Sequence, residues 1–300
     1  MNVAIIGLGN IGFNYDKNKK KKFLSLSKSF YKSDFFKLKI GIDKKKKIRE
    51  NFKKKYSSVK IFDKISSLKS EKIDLFVIST PTNEHYKCVN QILRYSKKPN
   101  LIIEKPISNK IKEFRKVFKI LKSKKINTFL NYQRQSNPIF LKLKKNLKKS
   151  KETEILVKYS KGIYNNASHY LTYLLSVYGK AVKIIKTQNL KKNKNDYLVD
   201  FDLRCKECHI KFRYTKKKNQ MVCSNDKISF LSNKDKIIFK FKKKNLYDKK
   251  RISKIFDCYQ LHVIKNLENY FKKKKHNLCF LDKNYKTEEM INDIINYKNV

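Results

Sequence analysis

Short apolar runs alternate with amphipathic stretches over roughly the first 130 residues of this chain. "VAIIG" (3–7), "LKIGID" (38–43), "VKIF" (59–62), "DLFVIST" (74–80) and "NLIIEKP" (100–106) predict five strands, each too short for a helix. Between them, "KKIRENFKKKY" (46–56) and "NEHYKCVNQILRYS" (83–96) carry the apolar period of helices. A further helix is predicted over 109–125, where Ile111, Phe114, Val117, Phe118 and Leu121 share one face, and "INTFLNY" (126–132) predicts another strand. Strands alternating with helices pair in parallel, so this part predicts an α/β, doubly wound Rossmann sheet.

After residue 150 the texture changes. "EILVKYS", "AVKIIKTQ", "YLVDFDLRC", "HIKFRYT", "KISFLS" and "KIIFKFK" alternate apolar and polar positions between polar turns, which predicts a largely antiparallel open sheet with one buried face. Helices are predicted at "NASHYLTYLLSVYG" (166–179), 252–275 and 285–297. The fold class is therefore α/β plus α+β in two domains. A dinucleotide-binding domain over 1–125 precedes a substrate and oligomerisation domain over 126–300, whose C-terminal helices can pack back on the first.

Three of the chain's six glycines, Gly7, Gly9 and Gly12, fall in "GLGNIG", directly after the first strand. In a dinucleotide-binding turn the first glycine makes the bend, the second admits the pyrophosphate to the backbone, and the third lets helix and strand close up. Asn10 and Ile11 lie inside this turn, and the phosphates are expected at a helix N-terminus. Asp43, closing the second strand, is placed to take the ribose 2′-hydroxyl, which argues for NAD. Lys44 to Lys47 follow it and would tolerate a 2′-phosphate, so NADP stays open. The gap from Gly12 to Asp43 exceeds the usual twenty or so residues, which predicts an inserted loop around 14–28.

The formal net charge is +50, which first suggests nucleic acid or an anionic membrane. Residue types argue otherwise. Of 75 basic residues, 68 are Lys and seven are Arg, beside 29 Asn and three Ala, the pattern of an AT-rich genome. Arginine, preferred for bidentate phosphate and base contacts, is scarce, so no specific nucleic-acid partner is expected. No stretch of 18 apolar residues exists, so no membrane span is expected. The opening residues read as a strand, and six scattered cysteines suit a reducing, cytoplasmic setting.

With "GLGNIG", "STPTNEH", "IIEKP" and "NNASHYLTYLLSVYG" in this order, the chain resembles the Gfo/Idh/MocA family of NAD(P)-dependent oxidoreductases over nearly its whole length. "FNYD" and "NYQRQSNP" are similar to members from surface-polysaccharide and glycan biosynthesis clusters. The resemblance implies a sugar or nucleotide-sugar substrate and a homodimer or homotetramer. It also implies that Thr80, Pro81, Asn83 and His85 line the nicotinamide ribose, with Glu104 beside the cofactor. A strand-end turn with Asn83 capping the next helix is the alternative there.

Lys105 of "EKP" and His169 are the candidate catalytic residues. Hydride transfer from a secondary alcohol needs a proton acceptor beside the hydroxyl and a cation near the developing alkoxide. Lys105 ends a parallel strand, where doubly wound sheets bind ligands. By the resemblance, His169 corresponds to the histidine of the family's D-x-G-x-H pattern, with a core-facing helical histidine as the alternative. The pattern's aspartate is Asn165 here, and a later aspartate is Thr172. Asn165 and Asn166 are then candidate ligands of substrate hydroxyls. Arg134 is a candidate partner of a substrate carboxylate or phosphate, with Gln133 beside it. No metal is expected. "CKECH" (205–209) reads as a hairpin turning at Lys206–Glu207 rather than a haem or zinc site.

The expected activity is hydride transfer between a nicotinamide cofactor and a hydroxyl or keto group. A non-catalytic dinucleotide-binding protein of the same fold is the alternative, which Asn165 and Thr172 support.

Overall fold

The structure, a computed structural model, describes residues 1–147, 153–179, 183–205, 208–216, 219–223, 228–232, 237–241, 244–245 and 257–297. Contacts divide the chain into two units, Met1–Asn137 with Asp257–Leu281, and Pro138–Phe256 with Asp282–Val300. The first unit runs beyond 125 because Thr128–Leu130 joins its sheet as a strand, and it takes back a C-terminal helix that supplies core residues.

In the first unit the strands are β1 (Asn2–Ile6), β2 (Lys37–Ile42), β3 (Lys60–Phe62), β4 (Leu75–Ile78), β5 (Asn100–Ile103) and β6 (Thr128–Leu130). Their order is β3-β2-β1-β4-β5-β6, all parallel, with β15 (Cys279–Phe280) antiparallel on the outer edge of β6. On one face, Val3, Ile5, Leu75, Val77 and Ile102 pack with Phe30 of α1 (Leu26–Tyr31), Phe52 of α2 (Lys46–Lys55) and Val263, Ile264 and Leu267 of α8 (Tyr259–Phe271). Ala4, Ile6, Phe76 and Ile78, which alternate with these, are also buried. Strands covered on both faces need unbroken apolar runs, which is why β1, β4 and β5 read so clearly. Helices α3 (His85–Tyr95) and α4 (Ile111–Ser123) bury Val89, Ile92, Phe114, Val117 and Leu121. A short α5 (Gln133–Ser136) follows β6.

The second unit holds an eight-stranded sheet in the order β14-β13-β12-β11-β7-β10-β9-β8. Its strands are β7 (Thr153–Tyr159), β8 (Lys183–Asn193), β9 (Asp196–Cys205), β10 (Cys208–Tyr214), β11 (Asn219–Cys223), β12 (Ile228–Ser232), β13 (Ile237–Phe241) and β14 (Lys244–Asn245). All pairs are antiparallel except β7 with β10. Alternate residues Ile155, Val157 and Tyr159, Val199, Phe201 and Leu203, and Ile210 and Phe212 point to one core. Packed on them are α6 (Pro138–Leu147), α7 (Ser168–Tyr178) and α9 (Leu281–Asn296). The Phe201 and Phe212 rings stack at 4.3 Å, joining adjacent strands.

Around "CKECH", β9 and β10 pair antiparallel with Cys205 opposite Cys208. The turn at Lys206–Glu207 lies outside the described residues. The part of the predicted 252–275 helix before residue 257 lies outside them too.

Candidate active site

The chain leaves β1 at Gly7, whose φ is +91°. A Cβ on Gly7 would stand 2.6 Å from the Thr80 nitrogen, and one on Gly12 would collide with the Gly7 carbonyl oxygen. These two glycines are needed for protein packing. Gly9 is not: nothing lies within 4 Å of where its Cβ would stand. The backbone N–H groups of Gly9, Asn10, Ile11 and Gly12 meet no backbone acceptor among the described residues. Four successive donors without a backbone partner, with open space at Gly9, are groups that an anion such as a pyrophosphate can take.

The helix expected directly after the glycines does not start there. Phe13 and Asn14 donate to the Gly9 carbonyl at 2.8 and 3.0 Å in one wide turn, and the chain then departs through a short helical turn at Asn14–Asp16. It returns at Ser25, and α1 begins with Leu26 and Ser27 donating to the carbonyls of Ile11 (2.9 Å) and Gly12 (3.0 Å). Residues 14–25 are thus spliced into the first helix, which accounts for the long gap to Asp43. Asp16, 2% exposed, holds the splice by accepting the N–H groups of Leu24 and Ser25 and the Ser25 hydroxyl. The Lys28 ammonium gathers the carbonyls of Lys19, Lys20 and Lys22 on the outer side.

Asp43 follows β2, and both its carboxylate oxygens face backbone donors. One accepts the Leu8 N–H at 2.9 Å and the other the Lys45 N–H at 2.9 Å. A carboxylate accepts about four hydrogen bonds, so capacity remains for a ribose hydroxyl. Arg49 donates to the carbonyls of Asp43 (2.8 Å) and Lys44 (2.9 Å). Lys44 is paired with Glu84 at 3.1 Å.

Where β4 ends, the Ser79 hydroxyl donates to the Gly7 carbonyl at 2.7 Å, locking that turn to the glycine turn. Thr80 is half-buried, while Pro81 and Asn83 are exposed. Asn83 lies within a short helical turn, and no side chain caps α3, so the capping alternative does not hold. His85 needs a correction. It is 1% exposed, with Nδ1 3.0 Å from the Pro106 carbonyl and Nε2 3.0 Å from the Thr80 carbonyl. A ring so engaged has no edge for a cofactor; it ties the β4 and β5 turns together from beneath. Burial lowers its pKa, opposed by its carbonyl partners and by Glu113.

Glu104 and Lys105 stand just beyond β5, and the Lys105–Pro106 peptide is cis. Burial raises the Glu104 carboxyl to about 7, against the pull of the Asn131 hydrogen bond and the Lys105 charge. Asn131, after β6, donates from its one amide nitrogen to Glu104 Oε1 and, at 3.2 Å, to Gln260 Oε1 in α8. Burial first, then Tyr15, Glu104 and Asp16, pushes the Tyr259 phenol above its ordinary pKa. Half-buried Gln133 and Arg134 begin α5. The glycine cradle, Asp43, Thr80, Glu104 and Lys105 therefore all stand at the carboxyl edge of one sheet. Asp16, Ser79, Asn131 and Gln260 support them; the first three lie inside the motifs "FNYD", "STPTNEH" and "NYQRQSNP" without a role having been read for them, and Gln260 lies in none.

In the second unit a π-turn, Ile163–Ala167, leads into α7. It carries exposed Asn165 and half-buried Asn166, and His169 lies in the first turn of α7, 7% exposed. Thr172, 3% exposed, follows on the same helix. Beneath the turn lies Asp196, which opens β9. One carboxylate oxygen accepts the Tyr164 N–H (2.9 Å) and the Tyr197 N–H (2.8 Å). The other accepts the Asn165 N–H (2.9 Å) and Asn165 Nδ2 (2.8 Å). No group of three metal-ligating side chains occurs among the described residues.

Residues 1–132 match the model of GFO_IDH_MocA, an oxidoreductase family with an NAD-binding Rossmann fold. No curated protein matches the chain. Solved structures share the fold at low identity. One is a dehydrogenase (MviM) from Clostridium difficile, with TM-score 0.76 and 16% identity over 99% of each chain. Another is the WlbA dehydrogenase from Bordetella pertussis, in complex with NADH and UDP-GlcNAcA (TM-score 0.74, 14% identity, 99% of this chain and 94% of that one). A third is a myo-inositol dehydrogenase from Corynebacterium glutamicum (TM-score 0.71, 13% identity, 99% and 96%).

Proposed function

Since residues 1–132 match the model of the GFO_IDH_MocA oxidoreductase family with its NAD-binding Rossmann fold, we propose that this protein moves a hydride between NAD and a hydroxyl or keto group of a sugar or nucleotide-sugar in glycan synthesis. One observation carries the reading. The open anion cradle at Gly9–Gly12 and the Glu104–Lys105 pair stand at the same edge of one parallel sheet, after β1 and β5, with only β4 between those strands. Doubly wound sheets bind dinucleotides and substrates at that edge.

When bound, NAD supplies the hydride acceptor or donor. The chain's own groups do the rest. The N–H groups of Gly9 to Gly12 bind the pyrophosphate, and Asp43 accepts a ribose hydroxyl. Thr80, Pro81 and Asn83 flank the nicotinamide ribose. Lys105, as an amine, takes the hydroxyl proton during oxidation; as an ammonium, it donates to the substrate oxygen during reduction. Glu104, held by Asn131, sets the charge around that ammonium. His169 is the second acid–base group, Asn165 and Asn166 bind sugar hydroxyls, and Arg134 pairs with a substrate carboxylate or phosphate. A neighbour of the same fold crystallised with a UDP-sugar acid supports that class of substrate.

The test is a screen of free sugars, sugar acids and UDP-sugars for NAD reduction or NADH oxidation. Turnover of one compound, lost in Lys105→Met while NADH binding persists, is expected. NADH binding with no turnover across the panel would leave the non-catalytic alternative.

A further inference from the structure

The turn that leads into α7 is held by a residue from a strand some thirty positions later. Asp196 is 4% exposed, and its two oxygens accept four hydrogen bonds, three of them from Tyr164 and Asn165 in the turn itself. The fit is specific. Gly162 enters the turn at φ +111°, and a Cβ there would run into the Asp196 carboxyl. On its far side the turn is closed by the Ser168 hydroxyl, which donates to the Tyr164 carbonyl at 2.6 Å. A carboxylate on the first N–H groups of a helical segment satisfies donors that have no partner within the helix and favours its dipole. An isolated buried carboxylate is costly, so a bland loop would not retain one.

We propose that Asp196 is a positioning residue of the substrate side of the site: docked on the 163–167 turn, it fixes Asn165 directly and, through that turn, the start of α7 that carries His169, and it holds a carboxylate against the turn. The charge that position 165 lacks stands one hydrogen bond away from it, at 2.8 Å. This inference rests on the proposed roles of Asn165 and His169.

The test needs no substrate. Glu288 of α9, Tyr197 and Asp196 act on Tyr164 of this turn and Lys161 directly precedes it; of these side chains Asp196 is the one bonded to the turn's backbone. In full-length protein with isotope-labelled histidine, the His169 resonance is assigned by its loss in His169→Gln and titrated by NMR. Removing a nearby negative charge disfavours the imidazolium. Asp196→Asn, which keeps the shape, is therefore expected to lower the His169 midpoint by roughly half a unit or more. Gly162→Ala, which displaces the carboxylate, is expected to move it in the same direction. NADH affinity, read in parallel, stays within about threefold because the glycine cradle is untouched. An unmoved His169 titration in folded Asp196→Asn, or in folded Gly162→Ala should the first variant not fold, would overturn the proposal. A barren substrate screen would count against the proposed function alone, leaving this result to stand.

Discussion

The Asp43 carboxylate accepts the Leu8 backbone N–H at 2.9 Å, fastening the end of β2 to the glycine turn after β1. The acid expected to read the ribose also sets the shape of the phosphate cradle. Asp43→Ala should therefore weaken NADH beyond the loss of one ribose contact. Hydrogen bonds to a charged acceptor contribute about 1.5–3 kcal/mol each, so a roughly 10–100-fold rise in Kd is expected by fluorescence titration. NADPH should lose less, because the variant also removes the charge facing its 2′-phosphate.

Gly12→Ala tests the closed side of the same turn. Its Cβ meets the Gly7 carbonyl oxygen, a backbone atom that cannot swing aside. Overpacking of this kind costs about 1–3 kcal/mol, so Tm should fall by roughly 2–10 °C in a thermal melt.

Glu104 makes stability depend on pH in a direction unusual for a carboxylate. Burial raises its folded pKa to about 7, above the unfolded value near 4.5. The protonated form therefore favours the fold, and this contribution is lost as pH rises from about 4.5 through 7. Glu104→Gln carries no such charge. Relative to wild type, it should gain about 1–3 kcal/mol between pH 5 and pH 8, measured by denaturant unfolding at each pH.

Asp16→Ala should release the spliced segment 14–25. The three donors now on its carboxylate, from Leu24 and Ser25, would be left without it. Trypsin should then cut within Lys17–Lys22 at least tenfold faster than in wild type, read by mass spectrometry of timed digests.

The first sheet was legible because β1, β4 and β5 are buried on both faces and so are written as unbroken apolar runs. The glycine spacing was legible because Gly7 and Gly12 answer to backbone contacts that any side chain would break. The contacts of Asp16 and Asp196 were not: Asp16 closes "FNYD" and Asp196 follows a Lys- and Asn-rich stretch that reads as a solvated loop, and neither pattern names a partner. Only the folded chain brings Asp16 to Ser25 and Asp196 to Asn165. His85 shows the opposite failure. Its motif suggests a cofactor contact, but packing turns the ring inward, toward two carbonyls. Asn131 was visible as the end of a strand and the first residue of "NYQRQSNP", but its link to Gln260 joins positions 129 apart.

The central claim is that the turn after β1 is a dinucleotide site, and Gly9 isolates it. No atom lies within 4 Å of the position its Cβ would take, so Gly9→Arg fills the cradle without disturbing the fold. The decisive measurement is an NADH fluorescence titration of wild type and Gly9→Arg, with thermal melts of both. Wild-type binding at micromolar Kd or tighter, lost in a variant whose Tm is unchanged, is the predicted result. Equal binding by both proteins, or none by wild type, would contradict the account.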